Sequence, residues 1–244
     1  MMAEVNLLRH YPPAKRMMAR PRSLDPANRD AALEFGAEYF DGTREQGYGG
    51  YRYDGRWIPI ARDIVRHFGL KPGDGVLDVG CAKGFLVKDL MGVCPGLEVF
   101  GLDVSEYALR HCPSEAGGRL VRGTADRLPF PDRSFHAVLC INVLHNLERE
   151  RCIAALKEIE RLAPGHGYVQ VDAYRTEAER DIFLGWVLTA VTYLKPEEWR
   201  ALFAQSGYTG DYYWTILEAD PEVNDFGLAD AGPAGAPADT PRHS

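Results

Sequence analysis

The 244-residue chain has no apolar run that approaches the ~18 residues a membrane-spanning helix needs, so no membrane partner is predicted. Basic residues are outnumbered, since 28 Lys and Arg against 35 Asp and Glu leave a formal net charge of −7. Binding to a nucleic-acid backbone depends on clustered Lys and Arg, and this balance therefore argues against a nucleic-acid partner. The first segment, "MMAEVNLLRHYPPAKRMMARPR", lacks the apolar centre of a secretory signal. A transit peptide shares this composition, but we expect a solvated N-terminal arm.

Cysteine is scarce and its spacing is uninformative for metal binding. The five cysteines are odd in number and none stands in a C-x-x-C pair, which argues against both a disulfide framework and a zinc site. Reduced thiols fit a cytoplasmic protein best. These residues are Cys81, Cys94, Cys112, Cys140 and Cys152.

Apolar strand-like runs alternate with helical ones from "IPIARDIVRHFGL" to "DYYWTILEA". This alternation predicts an α/β fold: a Rossmann-like, doubly wound, mostly parallel sheet with helices on both faces. We expect an N-terminal arm and an aromatic lid over residues 1–58 and the α/β domain over residues 59–218. Residues 219–244 are rich in Pro, Gly, Ala and Asp and are predicted to be a disordered tail.

The stretch "VLDVGCAKGF" is a predicted strand followed by a glycine-rich turn. Gly80 and Gly84 are predicted to let the backbone lie against a ligand or the next helix. The turn lacks the G-x-G-x-x-G pattern that a dinucleotide pyrophosphate prefers. Asp103 ends the next strand, 19 residues after Gly84, a spacing typical of an acid that binds ribose hydroxyls. With Asp126 near the same edge of the sheet to accept from an exocyclic amine, the pattern predicts an adenosine ligand without a cradled phosphate.

Four stretches, "VLDVGCAKGF", "VFGLDVS", "GTADRLPFPDRSF" and "LCINVLHNL", together resemble class I S-adenosylmethionine-dependent methyltransferases. The resemblance covers roughly residues 60–175 and is strongest to the small-molecule, type 11-like group that includes quinone-biosynthesis enzymes. It implies S-adenosylmethionine as the cofactor, with Asp78 and Gly80 by its methionine part and Asp103 on its ribose. The full set that it implies for cofactor binding is Asp78, Gly80, Cys81, Gly84, Asp103, Val104, Ala125, Asp126, Arg127, Cys140 and Ile141.

The sequence departs from the family pattern at a few positions. Ala82 replaces a common glycine, Phe85 is bulkier than the turn needs, and His136 stands where an Asp is frequent. No clear final β-hairpin is present, so we expect either one strand fewer than the family usually has or a strand from the tail.

Methyl transfer requires the protein to position the acceptor and exclude water, and a hydroxyl acceptor also requires a base. His145 and Asp172 follow predicted strands and are the candidate catalytic residues; for each, a structural role is the alternative. The candidates for substrate binding are Tyr48, Tyr51, Asn142, Tyr174 and Tyr193. Tyr53 and Trp57 complete the predicted lid, and Trp186 and Thr192 are further candidates for the pocket wall; for both groups, packing in the core is the alternative. Arg52 or Arg56 is a candidate for the cofactor carboxylate.

We therefore expect an enzyme that moves a methyl group from S-adenosylmethionine to an oxygen or nitrogen of a small molecule. A methyltransferase fold that binds the cofactor or a partner without catalysis is the alternative. A nicotinamide oxidoreductase is a third interpretation, which the missing pyrophosphate glycines disfavour. The absence of Pro-Pro-aromatic after the fourth strand, where the chain has "NVLHN", argues against nucleic-acid substrates.

Overall fold

A computed structural model describes residues 2–11 and 25–217 and contains one six-stranded sheet in that part of the chain. All neighbouring strands are parallel, in the order β3-β2-β1-β4-β5-β6. The chain builds outward from β1 to β3 and then crosses back to place β4 beside β1. The strands are β1 Gly75–Val79, β2 Glu98–Asp103, β3 Leu120–Arg122, β4 Ala137–Ile141, β5 Gly167–Ala173 and β6 Asp211–Ile216. The predicted Rossmann-like parallel sheet is confirmed.

Eight α-helices lie in the described residues, and none of them is long and apolar enough to cross a membrane. One of the helices, α7, was not predicted, although its first turn carries a capping box between Thr176 and Glu179. The helices are α1 Pro26–Leu33, α2 Ala37–Asp41, α3 Ile58–Phe68, α4 Phe85–Val93, α5 Glu106–Arg110, α6 Arg149–Leu162, α7 Glu177–Trp186 and α8 Pro196–Ser206.

The sheet is buried on both faces because the strands are apolar at successive positions. Leu77 and Val79 of β1 belong to the core that includes α6 and α8, whereas Val76 packs with α3 and α4. Alternation along the strand puts Asp78 on the same face as Val76. A carboxylate thus stands in an otherwise apolar strand, two residues before its turn.

Residues 2–11 are packed rather than solvated, which corrects the expectation of a solvated arm. Glu4 forms a parallel bridge with Tyr212 of β6, and the N–H of Val5 donates to the carbonyl of Tyr212 at 2.8 Å. Leu7 is buried. The segment thus pairs with the outer edge of β6, where no further strand follows in the described residues. The predicted tail, residues 219–244, lies outside the described residues, and the predicted domain limits stay predictions.

Candidate active site

A cavity of about 950 Å³ opens at the carboxyl ends of the strands. One wall is formed by the turns after β1, β2 and β4 together with β5 and β6, and the other by residues 35–57. In doubly wound sheets ligands bind at this edge, where the strand order reverses, which here is between β1 and β4. The volume is within the range of small-molecule sites.

The turn after β1 has three left-handed residues: Gly80 (φ 78°), Ala82 (φ 50°) and Gly84 (φ 73°). A Cβ on Gly80 would lie 2.1 Å from Cγ2 of Val143, and one on Gly84 would lie 3.0 Å from Cδ1 of Leu120. A side chain at either position would therefore meet neighbouring protein side chains. Glycine is needed for the backbone conformation and for packing against the loop after β4 and against β3.

Asp78 and Asp103 are two buried acids at the centre of the cavity wall. Burial, and secondarily the charge of Asp103, raise the pKa of Asp78 to about 7. The Asp78 carboxylate has no hydrogen-bond partner among the described residues. An unpartnered buried carboxylate is costly, and it therefore indicates a place for a cationic or donor group of a ligand.

Asp103 is held rigidly by the backbone. One of its oxygens accepts from the N–H of Ala82 at 2.7 Å and the other from the N–H of Ser105 at 2.8 Å. Burial raises the pKa of Asp103, and these N–H groups oppose that effect. Each carboxylate oxygen keeps a second lone pair, so the acid can still accept from two adjacent hydroxyls.

Residues 35–57 cover the turn after β1 and are attached to it by polar contacts. Lys83 is buried, and its Nζ donates to both carboxylate oxygens of Asp41, at 2.7 and 2.8 Å, and to the carbonyl of Tyr51 at 3.0 Å. The ring of Tyr51 stacks on Phe85, with ring centroids 4.8 Å apart. This position is the one predicted for the aromatic lid, and its opening and closing stay a prediction.

His145 and Asp172 meet on the side of the cavity beyond β4. The Nδ1 of His145 accepts a hydrogen bond from the backbone N–H of Asp172 at 3.2 Å. Burial lowers the pKa of His145, while the charge of Asp172 acts in the opposite direction. A neutral imidazole that accepts at Nδ1 carries its proton on Nε2, from which it can donate a hydrogen bond. The catalytic role of His145 stays a prediction.

Most of the predicted site residues line the cavity. They are Asp78, Gly80, Cys81, Asp103, Val104, Ala125, Ile141, Tyr48, Tyr51, Asn142, His145 and Asp172. Trp57, Trp186, Arg52 and Arg56 also line it, whereas Tyr53 and Thr192 do not. Asn142 holds a left-handed conformation (φ 58°) directly after β4.

Six of the residues predicted for catalysis, cofactor binding or substrate binding do not line the cavity: Gly84, Asp126, Arg127, Cys140, Tyr174 and Tyr193. The Asp126 carboxylate is bound by the guanidinium of Arg151, at 2.6 and 3.2 Å, and this partner holds the pKa of Asp126 below its usual range. Cys140 lies in the core, where burial raises the pKa of its thiol. The hydroxyl of Tyr193 donates to the carbonyl of Ala190 at 2.6 Å.

Gln170 lines the cavity and was missed from the sequence. Its Nε2 donates to the hydroxyl of Thr215 at 2.8 Å and to the carbonyl of Val171 at 3.2 Å. Its Oε1 is buried and has no hydrogen-bond partner among the residues that the structure describes. A polar residue in the middle of the apolar strand "GYVQVDA" was the available signal. The role of Lys83 was also missed from the sequence, because only its partners in the structure distinguish it from a surface lysine.

The reversed strand order is that of a Rossmann-like doubly wound sheet, and β2 ends in a buried acid. Residues 76–167 match the family model of a methyltransferase domain. The chain is 31% identical over 159 residues to a demethylmenaquinone methyltransferase of Symbiobacterium thermophilum, covering 59% of this chain and 60% of the relative. It is 27% identical over 146 residues to a tRNA (carboxymethyluridine(34)-5-O)-methyltransferase of Arabidopsis thaliana, covering 59% and 34%.

Among solved structures, the fold resembles a chain from the complex between the Haloferax volcanii Trm112 methyltransferase activator and a methyltransferase. The TM-score is 0.50 at 23% identity, over 60% of this chain and 66% of that one. Over this region the chain is therefore similar to methyltransferases. It spans 60% and 34% of the length of the two sequence relatives.

Proposed function

We propose that this protein transfers a methyl group from S-adenosylmethionine to a small molecule bound in the cavity beyond β4. The observation that carries the proposal is the pair of buried acids, Asp78 and Asp103, at the reversal point of a methyltransferase sheet. Asp78 is unpartnered, while Asp103 is fixed but retains free lone pairs. Such a pair matches one ligand with a cationic group at one end and adjacent hydroxyls further along.

The residues present fit this cofactor. Its amino group would be held by Asp78, and its ribose hydroxyls by Asp103. Arg52 lines the cavity and makes no ion pair within the described residues, so it is available for the cofactor carboxylate, whereas Arg56 is already paired with Asp54. Of the residues predicted to flank the adenine, only Ala125 lines the cavity.

When bound, the cofactor supplies the methyl group as an electrophile. The protein's own work is to hold the reactants in line and to keep water out. Residues 35–57 form the covering wall, and the stacked rings of Tyr51 and Phe85 exclude solvent from the turn after β1. The loop after β4 and the end of β5 hold the acceptor on the other side.

A small acceptor is favoured over a nucleic acid by the charges at the site. The chain has a formal net charge of −7. Three arginines that line the cavity are already neutralised by acids: Arg9 by Asp63, Arg56 by Asp54 and Arg151 by Asp126. A phosphate backbone would have to compete with these acids, because its binding depends on available Lys and Arg.

Calorimetric titration with S-adenosylhomocysteine, with NAD as the control ligand, tests the cofactor assignment. Micromolar binding of the first alone is expected. Asp103→Ala should weaken it by about 2–4 kcal/mol, or roughly 30- to 1,000-fold, because two hydrogen bonds to a charged acceptor are lost. Asp74→Ala is the matched control, since Asp74 is an equally buried acid at the opposite end of β1.

Asp103 also accepts hydrogen bonds from two backbone N–H groups, so removing its side chain affects folding as well as binding. Asp103→Asn keeps the shape of the side chain and separates the two effects. Equal affinities of wild type and Asp103→Asn, with the fold intact by thermal melting, would contradict the ribose assignment. Tight binding without transfer to any acceptor would favour the non-catalytic alternative.

A further inference from the structure

Two polar groups face the half of the cavity that lies away from the turn after β1. Asp172 is on β5, two strands from β1, which is about 10 Å across the sheet. His145 lies in the short turn Leu144–Asn146 that follows β4. Both line the cavity, and neither belongs to the pair of acids assigned to the cofactor.

The imidazole of His145 is fixed in one orientation. Its Nδ1 accepts from the Asp172 N–H, and its backbone carbonyl accepts from the N–H groups of Val191 and Thr192 at 2.8 and 3.0 Å. The residue is only 4% exposed, but its Nε2 atom is not fully buried. Nε2 forms no hydrogen bond among the described residues. The Nε2–H is therefore a donor that remains available to a bound molecule.

The carboxylate of Asp172 complements this donor. It is half-buried and forms no hydrogen bond or ion pair within the described residues. Of the arginines on the cavity wall, three are paired with acids, Arg44 donates to the carbonyl of Tyr48 and lies over the ring of Trp186, and Arg52 is assigned to the cofactor carboxylate. A lone carboxylate beside an apolar, aromatic wall favours a cationic partner.

We propose that the acceptor is an amine whose nitrogen lies against the Asp172 carboxylate, while His145 Nε2–H donates to an acceptor atom elsewhere on the same molecule. This inference rests on the proposed methyltransferase function. It assigns the chemical class of the substrate and makes Asp172 a binding residue.

The chemistry of the transfer agrees with this choice. An amine that binds Asp172 as its ammonium ion first loses a proton to water. The neutral amine then uses its own lone pair to form the N–C bond while the S–C bond breaks, and the electron pair of that bond stays on sulfur. The positive charge moves from sulfur to nitrogen, where Asp172 compensates it, and a proton on the product nitrogen then leaves to water. An aliphatic hydroxyl needs a base instead, but Nε2 of His145 already carries a proton and a carboxylate is too weak a base for it.

Paired amine and alcohol probes test the inference. Benzylamine with benzyl alcohol, and tryptamine with tryptophol, are titrated by NMR into the protein saturated with S-adenosylhomocysteine and into the free protein. We expect at least one amine to bind more tightly than its alcohol. Asp172→Asn should weaken the binding of that amine at least tenfold and change the binding of the alcohol less than twofold. Asp181→Asn, at an exposed acid of α7, is the control and should change neither.

Three results would each overturn the inference. The alcohols bind with equal or greater affinity than the amines, the Asp172→Asn variant binds the amine as tightly as wild type does, or no amine binds at all. A failure of S-adenosylhomocysteine to bind is a separate result and counts against the proposed function, since the amine titration of the free protein is read independently. The Nε2–H tautomer of His145 is checked by ¹⁵N NMR, where a proton on Nδ1 would contradict the donor role.

Discussion

At the scale of single residues, burial of the Asp78 carboxylate lowers the stability of the free protein. Its pKa is raised to about 7 by burial and by Asp103, whereas an unfolded Asp titrates near 3.9. Between these values the folded state binds more protons than the unfolded state, so stability falls as the pH rises from about 4 to about 7. Above pH 7 both states are ionised, and the loss is complete and constant.

Replacing Asp78 by Asn should therefore stabilise the free protein by a few kcal/mol at pH 8 and have little effect at pH 3.5, because the neutral side chain removes the buried charge. Thermal melts of both proteins from pH 3.5 to 8 measure the difference. The same variant should bind S-adenosylhomocysteine more weakly. A difference in stability that does not depend on pH would show that Asp78 is not the group that titrates.

The opposite sign applies to His145, whose pKa is lowered mainly by burial. The unfolded state gains a proton near pH 6.5 before the folded state does, so this residue makes the protein less stable as the pH falls below that value. His145→Gln, which cannot be protonated, should reduce this loss of stability between pH 7 and 5. Urea unfolding at the two pH values measures it, and an unchanged pH dependence would contradict the buried neutral imidazole.

At the scale of elements, the segment over residues 35–57 is held to the turn after β1 by one ion pair. Lys83 binds Asp41 and the carbonyl of Tyr51, and the hydroxyl of Tyr107 donates to the same carboxylate at 2.7 Å. The side chain of Lys83 is 7% exposed and that of Asp41 is 32% exposed. The pair is thus worth less than a fully buried one but more than a surface one.

Lys83→Met should loosen this segment without unfolding the sheet, because Met keeps the length of the side chain and removes the charge. Hydrogen exchange of residues 37–51 should become roughly tenfold faster, and S-adenosylhomocysteine should dissociate faster. Lys157→Met, at an exposed lysine of α6, is the control. If the ion pair holds the segment, Asp41→Asn has a similar effect and the double variant adds little. Unchanged exchange in Lys83→Met would mean that the other contacts of the segment hold it.

At the scale of the whole molecule, the N-terminal residues bind to β5 and β6, the last two strands of the sheet. The hydroxyl of Tyr168, on β5, donates to the carbonyl of Val5 at 3.1 Å and accepts from the N–H of Leu7 at 3.2 Å. Tyr168 is fully buried. These bonds, together with the bridge to β6, make residues 3–7 part of the sheet edge.

Tyr168→Phe should lower the free energy of unfolding by about 1–3 kcal/mol, since it leaves two backbone groups without their partner. Urea unfolding of the full chain measures this. Tyr212→Phe is the control because the Tyr212 hydroxyl forms no hydrogen bond among the described residues, and its change should stay within about 0.5 kcal/mol. A variant Tyr168→Phe as stable as wild type would show that the N-terminal segment is held by its apolar contacts.

What the amino-acid sequence determined by itself is local. The alternation of apolar runs predicted the parallel Rossmann-like sheet, and the stretch from Val76 to Asp103 predicted the glycine-rich turn after β1 and an acid at the end of β2. The ribose role of Asp103 stays a prediction. These features depend on residues that are near each other in the chain, where periodicity and turn chemistry act directly. The capping box of α7 is also a local signal in the sequence, although the helix itself was not predicted.

The tertiary structure decided the features that depend on distant partners. Arg151 occupies the Asp126 carboxylate, Lys83 reaches Asp41, and the N–H of Asp172 sets the tautomer of His145. The pairing of residues 3–5 with β6 joins parts of the chain more than 200 residues apart. Which donor meets which acceptor is decided only when packing brings them together, because a side chain has the same bonding capacity wherever it lies and the fold selects its partner.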